Sequence, residues 1–157
     1  MNNLEIKEKL LKKKICIVGG GGFIGHNLSI QLSELGAKVH VIDNLQVNNL
    51  GFYTSNYLNN PNSERYLSFI NSRLKLMKES EVNLHIEDAR DYHRISRILD
   101  DIKPDNVIHL AAVAHANRSN KDPYTTFDHS LRTLENVLDS IKQINTHLIY
   151  LSSSMVY

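Results

Sequence analysis

The chain has 157 residues, 41% of them apolar and 3 of them proline, so it is long enough to bury the core of one domain and shows no sign of disorder. Its 18 basic and 17 acidic residues leave a formal charge of +1, which does not support a nucleic-acid surface that works by neutralising phosphates. The single cysteine, Cys16, excludes an internal disulfide, and no apolar stretch is long enough to span a bilayer. We therefore expect a cytoplasmic protein that binds a small molecule rather than nucleic acid or a membrane.

Residues 1–13 are expected to form an N-terminal extension. Charges interleave there with Leu4, Ile6, Leu10 and Leu11, a spacing that favours a short amphipathic helix packed on the domain. A solvated leader is an equally good interpretation. We expect no secretory signal, because the apolar residues do not form a continuous segment.

Strand and helix patterns alternate along the rest of the chain. Apolar runs predict strands at residues 15–18, 39–42, 107–110 and 148–151, with a weaker one at 82–86, and helical spacing predicts helices at 23–35, 63–78, 92–102 and 123–144. Such alternation predicts parallel strands that are buried on both faces and joined by right-handed crossovers. The expected fold class is α/β, a doubly wound parallel sheet with helices on both faces and ligands at the carboxyl ends of its strands.

A glycine-rich turn follows the first predicted strand and opens the first of these helices. Its sequence is Gly19-Gly20-Gly21-Gly22-Phe23-Ile24-Gly25. Gly19 allows a sharp turn off a buried strand, Gly22 lets backbone N–H groups approach a pyrophosphate, and Gly25 lets the helix pack close to the strand. The helix N-terminus binds anions through free N–H donors and a partial positive charge. The turn therefore predicts a dinucleotide site, with an ordinary strand-to-helix turn as the alternative.

Asp43 stands at the end of the second predicted strand, eighteen residues after Gly25. The intervening helix ends at Gly36, a residue that suits a left-handed C-terminal cap. The carboxylate of Asp43 can accept hydrogen bonds from both hydroxyls of an adenosine ribose, and its charge would repel a 2′-phosphate. We therefore expect NAD rather than NADP as the cofactor; a helix-capping or solvated aspartate is the alternative.

Residues 45–62 form an unusually long connection between the second predicted strand and the next helix. The segment is rich in asparagine, carries Phe52, Tyr53 and Tyr57, and is expected near the adenosine end of the cofactor. Two interpretations remain open: a lid over the ligand, and a surface excursion packed by its own aromatic side chains.

The glycine turn and four further segments resemble the extended short-chain dehydrogenase/reductase group, in particular its NAD-dependent nucleotide-sugar epimerases and dehydratases. That group has the motifs GGxGFIG, DNL, D-x-R-D, VIHLAA and SSxxVY in this order, and the chain has matching segments at residues 19–25, 43–45, 88–91, 107–112 and 152–157. The resemblance covers nearly the whole chain. It implies a Rossmann-like NAD-binding domain at residues 14–157, whose partner in the complete enzyme is a nucleotide-sugar substrate.

The resemblance also implies individual roles. Ser153 corresponds to the hydroxyl residue that binds the reacting sugar oxygen, although residues 152–154 can also be interpreted as the end of a strand. Asp88 and Ala89 would face adenine, and the end of the fourth strand would lie along the cofactor. The residues expected to bind NAD are therefore Gly19, Gly22, Phe23, Ile24, Gly25, Asp43, Asn44, Asp88, Ala89, Leu110, Ala111, Ala112 and Ser130.

Other polar residues are assigned no chemistry. His109 and His115 lack partners at metal-ligand spacing, so we prefer structural roles for them and expect no metal site. Arg118 and Lys121 can meet a diphosphate across the cleft, but solvated loop charges are the preferred interpretation.

The chain departs from the group in its catalytic residues. The group's base is a tyrosine followed four residues later by lysine, and none of the 7 tyrosines here, Tyr157 included, has that lysine. The substrate half is also missing, so the chain looks truncated after about its fifth strand. Ser130, Thr133 and Leu134 stand where the group usually has asparagine, glycine and threonine, which gives Ser130 a shorter reach toward the cofactor. We predict that these residues alone bind NAD but are inactive.

Three functions remain open. The first is the NAD-binding part of a nucleotide-sugar epimerase or dehydratase that acts through a transient 4-keto sugar. The second is a non-catalytic dinucleotide-binding sensor or regulatory module, and the third is a reductase of a non-sugar carbonyl. An incomplete sheet whose last strand carries apolar surface also predicts a homodimer.

Overall fold

The computed structural model describes residues 3–46, 50–55, 61–113 and 121–152. In chain order the elements are α1 (Asn3–Leu10), β1 (Lys14–Val18), α2 (Phe23–Glu34), β2 (Lys38–Ile42), α3 (Leu50–Ser55), α4 (Ser63–Glu79), β3 (Asn83–His85), α5 (Tyr92–Ile102), β4 (Asn106–His109), α6 (Pro123–Ile141) and β5 (His147–Tyr150).

The five strands form one parallel sheet in the order β3-β2-β1-β4-β5. From β1 the chain winds in one direction through β2 and β3, then returns to place β4 and β5 on the other side. The direction of winding therefore reverses between β1 and β4, which is the topological switch point of a Rossmann-like sheet. The predicted fold class is confirmed.

Two hydrophobic cores cover the two faces of this sheet. In β1, Cys16 and Val18 pack on the face that carries α5 and α6, whereas Ile15 and Ile17 pack on the face that carries α2 and α4. Both faces are buried, so β1 has a continuous apolar sequence instead of an alternating one. Burial raises the pKa of the Cys16 thiol to about 12, which keeps it protonated and agrees with an apolar role.

The predicted helix bounds hold closely, with one exception at the end of α6. The bounds of α5 agree with the prediction because Asp91 caps its first turn, accepting a hydrogen bond from the Arg94 N–H, and Lys103 ends it in a left-handed conformation. The prediction carried α6 to residue 144, but the helix ends at Ile141. Ile144 still packs against the core, from the turn that follows, and so continues the apolar spacing without being helical.

The N-terminal residues are helical, as the amphipathic interpretation predicted. Leu10 packs against the core on the α2 side of the sheet, while Leu4 and Leu11 stay exposed. Lys12 donates a backbone hydrogen bond of 2.9 Å to the Gly36 carbonyl, which joins this segment to the turn between α2 and β2. The division into an extension at 1–13 and a domain at 14–157 stays a prediction.

Close backbone contact fixes the position of α2. A Cβ atom on Gly25 would overlap the Cα of Gly20 and lie 2.7 Å from both its carbonyl carbon and its carbonyl oxygen. Gly19 begins the turn at a φ of +80°, and a Cβ there would lie 2.6 Å from the Ala111 nitrogen. The helix can therefore approach the end of β1 only because Gly25 lacks a side chain, and the loop after β4 can approach the turn only because Gly19 lacks one.

Replacing Gly25 by alanine should destabilise the fold strongly. The new Cβ would meet backbone, which cannot move aside as a flexible side chain can, so we expect a loss of about 3 kcal/mol or more in the free energy of unfolding. Urea denaturation followed by circular dichroism measures this loss. The matched control is Gly51→Ala in α3, where a Cβ meets nothing within 4 Å and stability should hold or rise by up to about 1 kcal/mol. Equal stability of the two variants would contradict the close-contact argument.

Candidate functional site

Four loops meet at the carboxyl edge of the sheet, because parallel strands all end on the same side. Main-chain hydrogen bonds continue between these loops just beyond the strands. Gly19 donates to the Ile42 carbonyl at 2.8 Å, Leu110 to the Val18 carbonyl at 2.8 Å, and Asp43 to the His85 carbonyl at 3.1 Å. The segments that begin at residues 19, 43, 86 and 110 are therefore held side by side, and they carry most of the residues predicted to bind a cofactor.

Gly22 stands at the N-terminus of α2 with room around it. It is the N-cap residue and has no side chain to cap the helix, whose first N–H groups lack partners within the helix. A Cβ on Gly22 would meet nothing closer than the Gly19 carbonyl oxygen, at 3.6 Å. The fold itself therefore leaves space for a side chain here, and this space adjoins a helix N-terminus that favours anions. The next two side chains, Phe23 and Ile24, are exposed.

Asp43 is half-buried and oriented by two backbone donors. Its Oδ2 accepts the Gly21 N–H at 2.8 Å, and its Oδ1 accepts the Leu45 N–H at 2.7 Å. An ionised carboxylate has about four acceptor positions, so each oxygen keeps one for a further donor. A Cβ on Gly21 would lie 2.8 Å from the Asp43 Cγ, so Gly21 belongs to the site through this contact. Sequence reasoning assigned Gly21 no role of its own.

Asn44 and Asp88 come together from the loops after β2 and β3. The Asn44 side-chain amide donates to Asp88 Oδ2 at 3.1 Å, and the Arg90 guanidinium donates to the same carboxylate, with Nη2 2.6 Å from Oδ2. The hydrogen bonds from Arg90 are the main cause of a pKa for Asp88 of about 2, well below the ordinary value. The next residue, Ala89, is buried.

Side chains of helix α6 form hydrogen bonds with the main chain of two of these loops. Its Thr133 hydroxyl lies 3.4 Å from the Ala111 carbonyl oxygen, and the Asn136 amide donates to the carbonyls of Ala89 at 3.0 Å and Arg90 at 2.9 Å. The Ser130 hydroxyl accepts the Val113 N–H at 3.2 Å, so Ser130 lies at the loop that follows β4. Thr133 and Asn136 were not expected to contribute. Their burial on an otherwise amphipathic helix is the signal that marks them, and it is visible only once the helix is packed.

Arg73 connects α4 to the glycine turn. Its guanidinium donates to the Gly21 carbonyl at 3.1 Å, so both the N–H and the carbonyl of Gly21 are bonded to side chains, those of Asp43 and Arg73. Sequence reasoning missed Arg73, which is 52 residues away in the chain. Through this contact α4 stabilises the glycine turn.

The described parts of the 45–62 segment pack through aromatic rings. Tyr53 of α3 stacks on Tyr66 of α4 with ring centroids 4.7 Å apart, and Phe52 meets Tyr53 edge-on at 5.4 Å. The first contact packs the segment on α4, and the second lies within the segment, so a lid and a surface excursion both stay predictions. Residues 47–49 and 56–60, which include Tyr57, lie outside the described residues.

Four of the residues singled out from the sequence lie outside the described residues: Ser153, His115, Arg118 and Tyr157. Lys121 is described and is exposed. His109 is buried at the end of β4, and burial lowers its pKa, which agrees with a structural role. Within the described ranges no three His, Cys, Asp or Glu side chains are placed to hold a metal ion.

Residues 15–157 match the NAD dependent epimerase/dehydratase family. The chain belongs to this family. The resemblance derived from the motifs is thereby confirmed, and the family's dependence on NAD agrees with the cofactor expected from Asp43.

The relatives include a dehydratase and an epimerase. The dTDP-D-glucose 4,6-dehydratase of Dictyostelium discoideum is 29% identical over 160 residues, which cover 100% of this chain and 32% of the relative. The UDP-glucose 4-epimerase of Lacticaseibacillus casei is 27% identical over 140 residues, covering 89% of this chain and 35% of the relative. A solved structure, Bordetella bronchiseptica WbmF in complex with NAD⁺, has a TM-score of 0.63 at 26% identity and covers 90% of this chain and 36% of that one. The chain spans about a third of the length of these relatives.

A pair of histidines on neighbouring strands, His40 of β2 and His85 of β3, predicts that the stability of the fold depends on pH. His40 Nδ1 lies 3.1 Å from His85 Nε2, and the two rings stack 5.4 Å apart. Burial is the main cause that lowers the pKa of both residues, although the nearby charge of Glu87 opposes it at His85. The unfolded chain therefore binds more protons than the native one once the pH falls below about 6.5, and the free energy of unfolding should fall with it.

Urea denaturation at a series of pH values tests this prediction. The double variant His40→Gln/His85→Gln should lose stability less steeply below about pH 6.5 than the wild type, with the remaining slope partly due to buried His109. The control is His93→Gln, since His93 is exposed. A control that flattens the profile as much as the double variant would contradict the assignment to the pair.

Proposed function

We propose that residues 14–157 form the NAD-binding part of an NAD-dependent nucleotide-sugar epimerase or dehydratase. The observation that carries the proposal is the placement of Asp43, whose carboxylate is oriented by the Gly21 N–H beside a helix N-terminus that has room for an anion. The proposed anion site and ribose acceptor would thus be adjacent, at the ends of β1 and β2, which is the arrangement that a dinucleotide requires.

The residues present fit NAD from one end to the other. The pyrophosphate would lie at the N-terminus of α2 against Gly19, Gly22 and Gly25, and the adenosine ribose would bind Asp43 and Asn44. Adenine would continue toward the loop after β3, and the nicotinamide half would cross the switch point toward residues 110–112. Asp43 keeps two acceptor positions for ribose hydroxyls, so its chemistry suits NAD better than a 2′-phosphorylated cofactor.

The chemistry follows from the resemblance and from the relatives. When bound, NAD would supply a hydride acceptor for the C4 carbon of a sugar nucleotide, and a base that takes the hydroxyl proton would complete the oxidation to a transient 4-keto sugar. Ser153 would bind the reacting oxygen, since a hydroxyl both donates and accepts hydrogen bonds. A dehydratase of a dTDP-sugar and an epimerase of a UDP-sugar among the relatives favour a nucleotide-sugar substrate over a sensor module or a reductase of a non-sugar carbonyl.

Cofactor titration tests the proposed site. The wild-type chain should bind NAD at least tenfold more tightly than NADP, and Asp43→Asn should lower NAD affinity by about tenfold or more, because a charged acceptor of two ribose hydroxyls is lost. Isothermal titration calorimetry measures both affinities, with Asp101→Asn on the exposed face of α5 as the charge-matched control. Equal affinity of the wild type for NAD and NADP would remove Asp43 from its assigned role.

The same samples should form no 4-keto sugar from UDP-glucose. None of the 7 tyrosines in the sequence has lysine at the fourth following position, so the base expected for proton removal is lacking. A chain that binds NAD and still oxidises UDP-glucose would contradict this part of the proposal.

We also propose that a second copy of the chain covers the exposed face of α6. Tyr124, Phe127, Leu131 and Leu138 are exposed there, and Leu134 continues the stripe at alternating spacings of three and four residues. That spacing is the one with which a helix packs lengthwise against another helix. Glu135 flanks the groove, as do Asp139 and Lys142, which pair with each other at 2.6 Å. The stripe supports the homodimer predicted from the sequence.

Leu131→Asp should therefore shift the chain toward a monomer. A buried carboxylate at the centre of the stripe would have to be desolvated in a dimer, so the dimer should dissociate at concentrations where the wild type stays associated. Multi-angle light scattering measures the mass. Leu131 is 52% exposed and Leu76 of α4 is 50% exposed, so Leu76→Asp is a matched control that should leave the mass unchanged. A wild type that is monomeric at all concentrations would overturn the proposed dimer.

A further inference from the structure

The order of the loops along the sheet edge indicates where the base of the cofactor lies. The glycine turn follows β1, Asp43 follows β2, and the next strand outward is β3. A dinucleotide that places its pyrophosphate at the first and its ribose at the second must extend its base over the loop after β3, which contains Asp88. Asp88 is within reach of that position, since Asn44, the neighbour of Asp43, already touches its carboxylate at 3.1 Å.

The acceptor positions of Asp88 are all engaged. Oδ1 accepts the Arg90 N–H at 2.9 Å and Arg90 Nε at 3.0 Å. Oδ2 accepts Arg90 Nη2 at 2.6 Å and the Asn44 amide at 3.1 Å, and it shares the Arg90 Nε–H at 3.2 Å. A carboxylate has about four such positions, so Arg90 holds three of them and Asn44 the fourth. The bond from Asn44 is the one made by a neutral side chain, whereas Arg90 donates from its charged guanidinium and from the main chain, so the Asn44 bond is the easiest to exchange.

Arg90 is itself anchored to α6. Its Nη1 donates to Asp128 Oδ2 at 2.9 Å, and the Arg132 Nε holds the other oxygen of Asp128 at 2.8 Å. The Arg90 carbonyl accepts the Asn136 amide at 2.9 Å, eight residues further along the helix. The two anchors are about 12 Å apart along α6 at the helical rise, so they fix both the guanidinium and the main chain of Arg90.

We infer that Arg90 is a positioning residue for base recognition, which aims the Asp88 carboxylate so that the exocyclic amine of adenine replaces the Asn44 amide at Oδ2. The inference rests on the proposed NAD site and deepens it. Arginine is required because its planar fork binds Asp88 along one edge and Asp128 with its remaining nitrogen, whereas lysine offers a single charged centre. The Asn44 amide, once released, faces the ribose beside Asp43.

Two dinucleotides distinguish this role from a merely structural one. Nicotinamide hypoxanthine dinucleotide carries a carbonyl oxygen where NAD has the adenine amine, so it presents an acceptor to the Asp88 carboxylate instead of a donor. The wild-type chain should prefer NAD by about tenfold or more, as a site built around one hydrogen bond does. Loss of fold stability alone would weaken both dinucleotides equally and leave their ratio unchanged.

Calorimetric titration of the full chain with both dinucleotides is the experiment. Arg90→Met and Arg90→Lys should each reduce the preference for NAD to about twofold or less, with thermal melts reporting the fold. Arg94→Met is the matched control, because Arg94 lies nearby and pairs with Glu87 at 2.6 Å on the exposed side; it should keep the wild-type preference. Asp128→Asn weakens only the bond between Arg90 and α6 and should reduce the preference for NAD partially. It therefore tests the inference even if Arg90→Met does not fold.

The outcomes separate the two proposals. A wild type that binds neither dinucleotide overturns the proposed function. A wild type that binds NAD without preferring it to the hypoxanthine analogue, or an Arg90→Lys variant that keeps the full preference, overturns the inference about Arg90 and leaves the NAD site standing.

Discussion

The contact between Gly20 and Gly25 is the constraint on which the site depends. Because Gly25 has no side chain, the first turn of α2 packs directly on the backbone of Gly20 in the turn that leaves β1. This brings the positive end of the helix dipole to the carboxyl edge of the sheet, beside the point where the direction of chain winding reverses. The same turn carries Gly21, whose N–H orients Asp43 and whose carbonyl binds Arg73. One backbone approach therefore brings the N-terminus of α2, the Asp43 carboxylate and the Arg73 guanidinium together around a single turn.

The two acids of the site are oriented in different ways, and their capacities differ accordingly. Asp43 is held by two neutral backbone N–H groups and keeps acceptor positions for ligand hydroxyls. Asp88 is held by a guanidinium and an amide that together fill its acceptor positions, which lowers its pKa to about 2. A ligand group can bind Asp43 directly, whereas it must displace a protein donor from Asp88. The charge of Asp88 is thus secured by Arg90 before any ligand arrives.

Features set by neighbouring residues could be predicted from the sequence, and features set by distant contacts could not. The central strands were predictable because parallel strands buried on both faces are continuous apolar runs, as in residues 15–18. The bounds of α5 follow from its own cap residues, whereas Ile144 kept the apolar spacing of α6 beyond the real helix end. Among site residues, Asp43 and Asp88 stand in recognisable motifs. Arg73 and Asn136 act across 52 and 46 residues of chain, and only the packed fold shows these contacts.

The glycines of the turn are constrained in two different ways. Any larger residue at position 25 would meet the backbone of Gly20, so the fold itself requires glycine there, whatever the chain binds. Position 22 has space for a side chain within the protein itself, and in the proposed NAD site a bound phosphate would fill that space. Mutations at Gly22 should therefore accumulate in lineages that have abandoned the cofactor and be purged in those that use it. A comparison of the two positions among related chains would therefore distinguish chains that keep only the fold from chains that also keep the binding site.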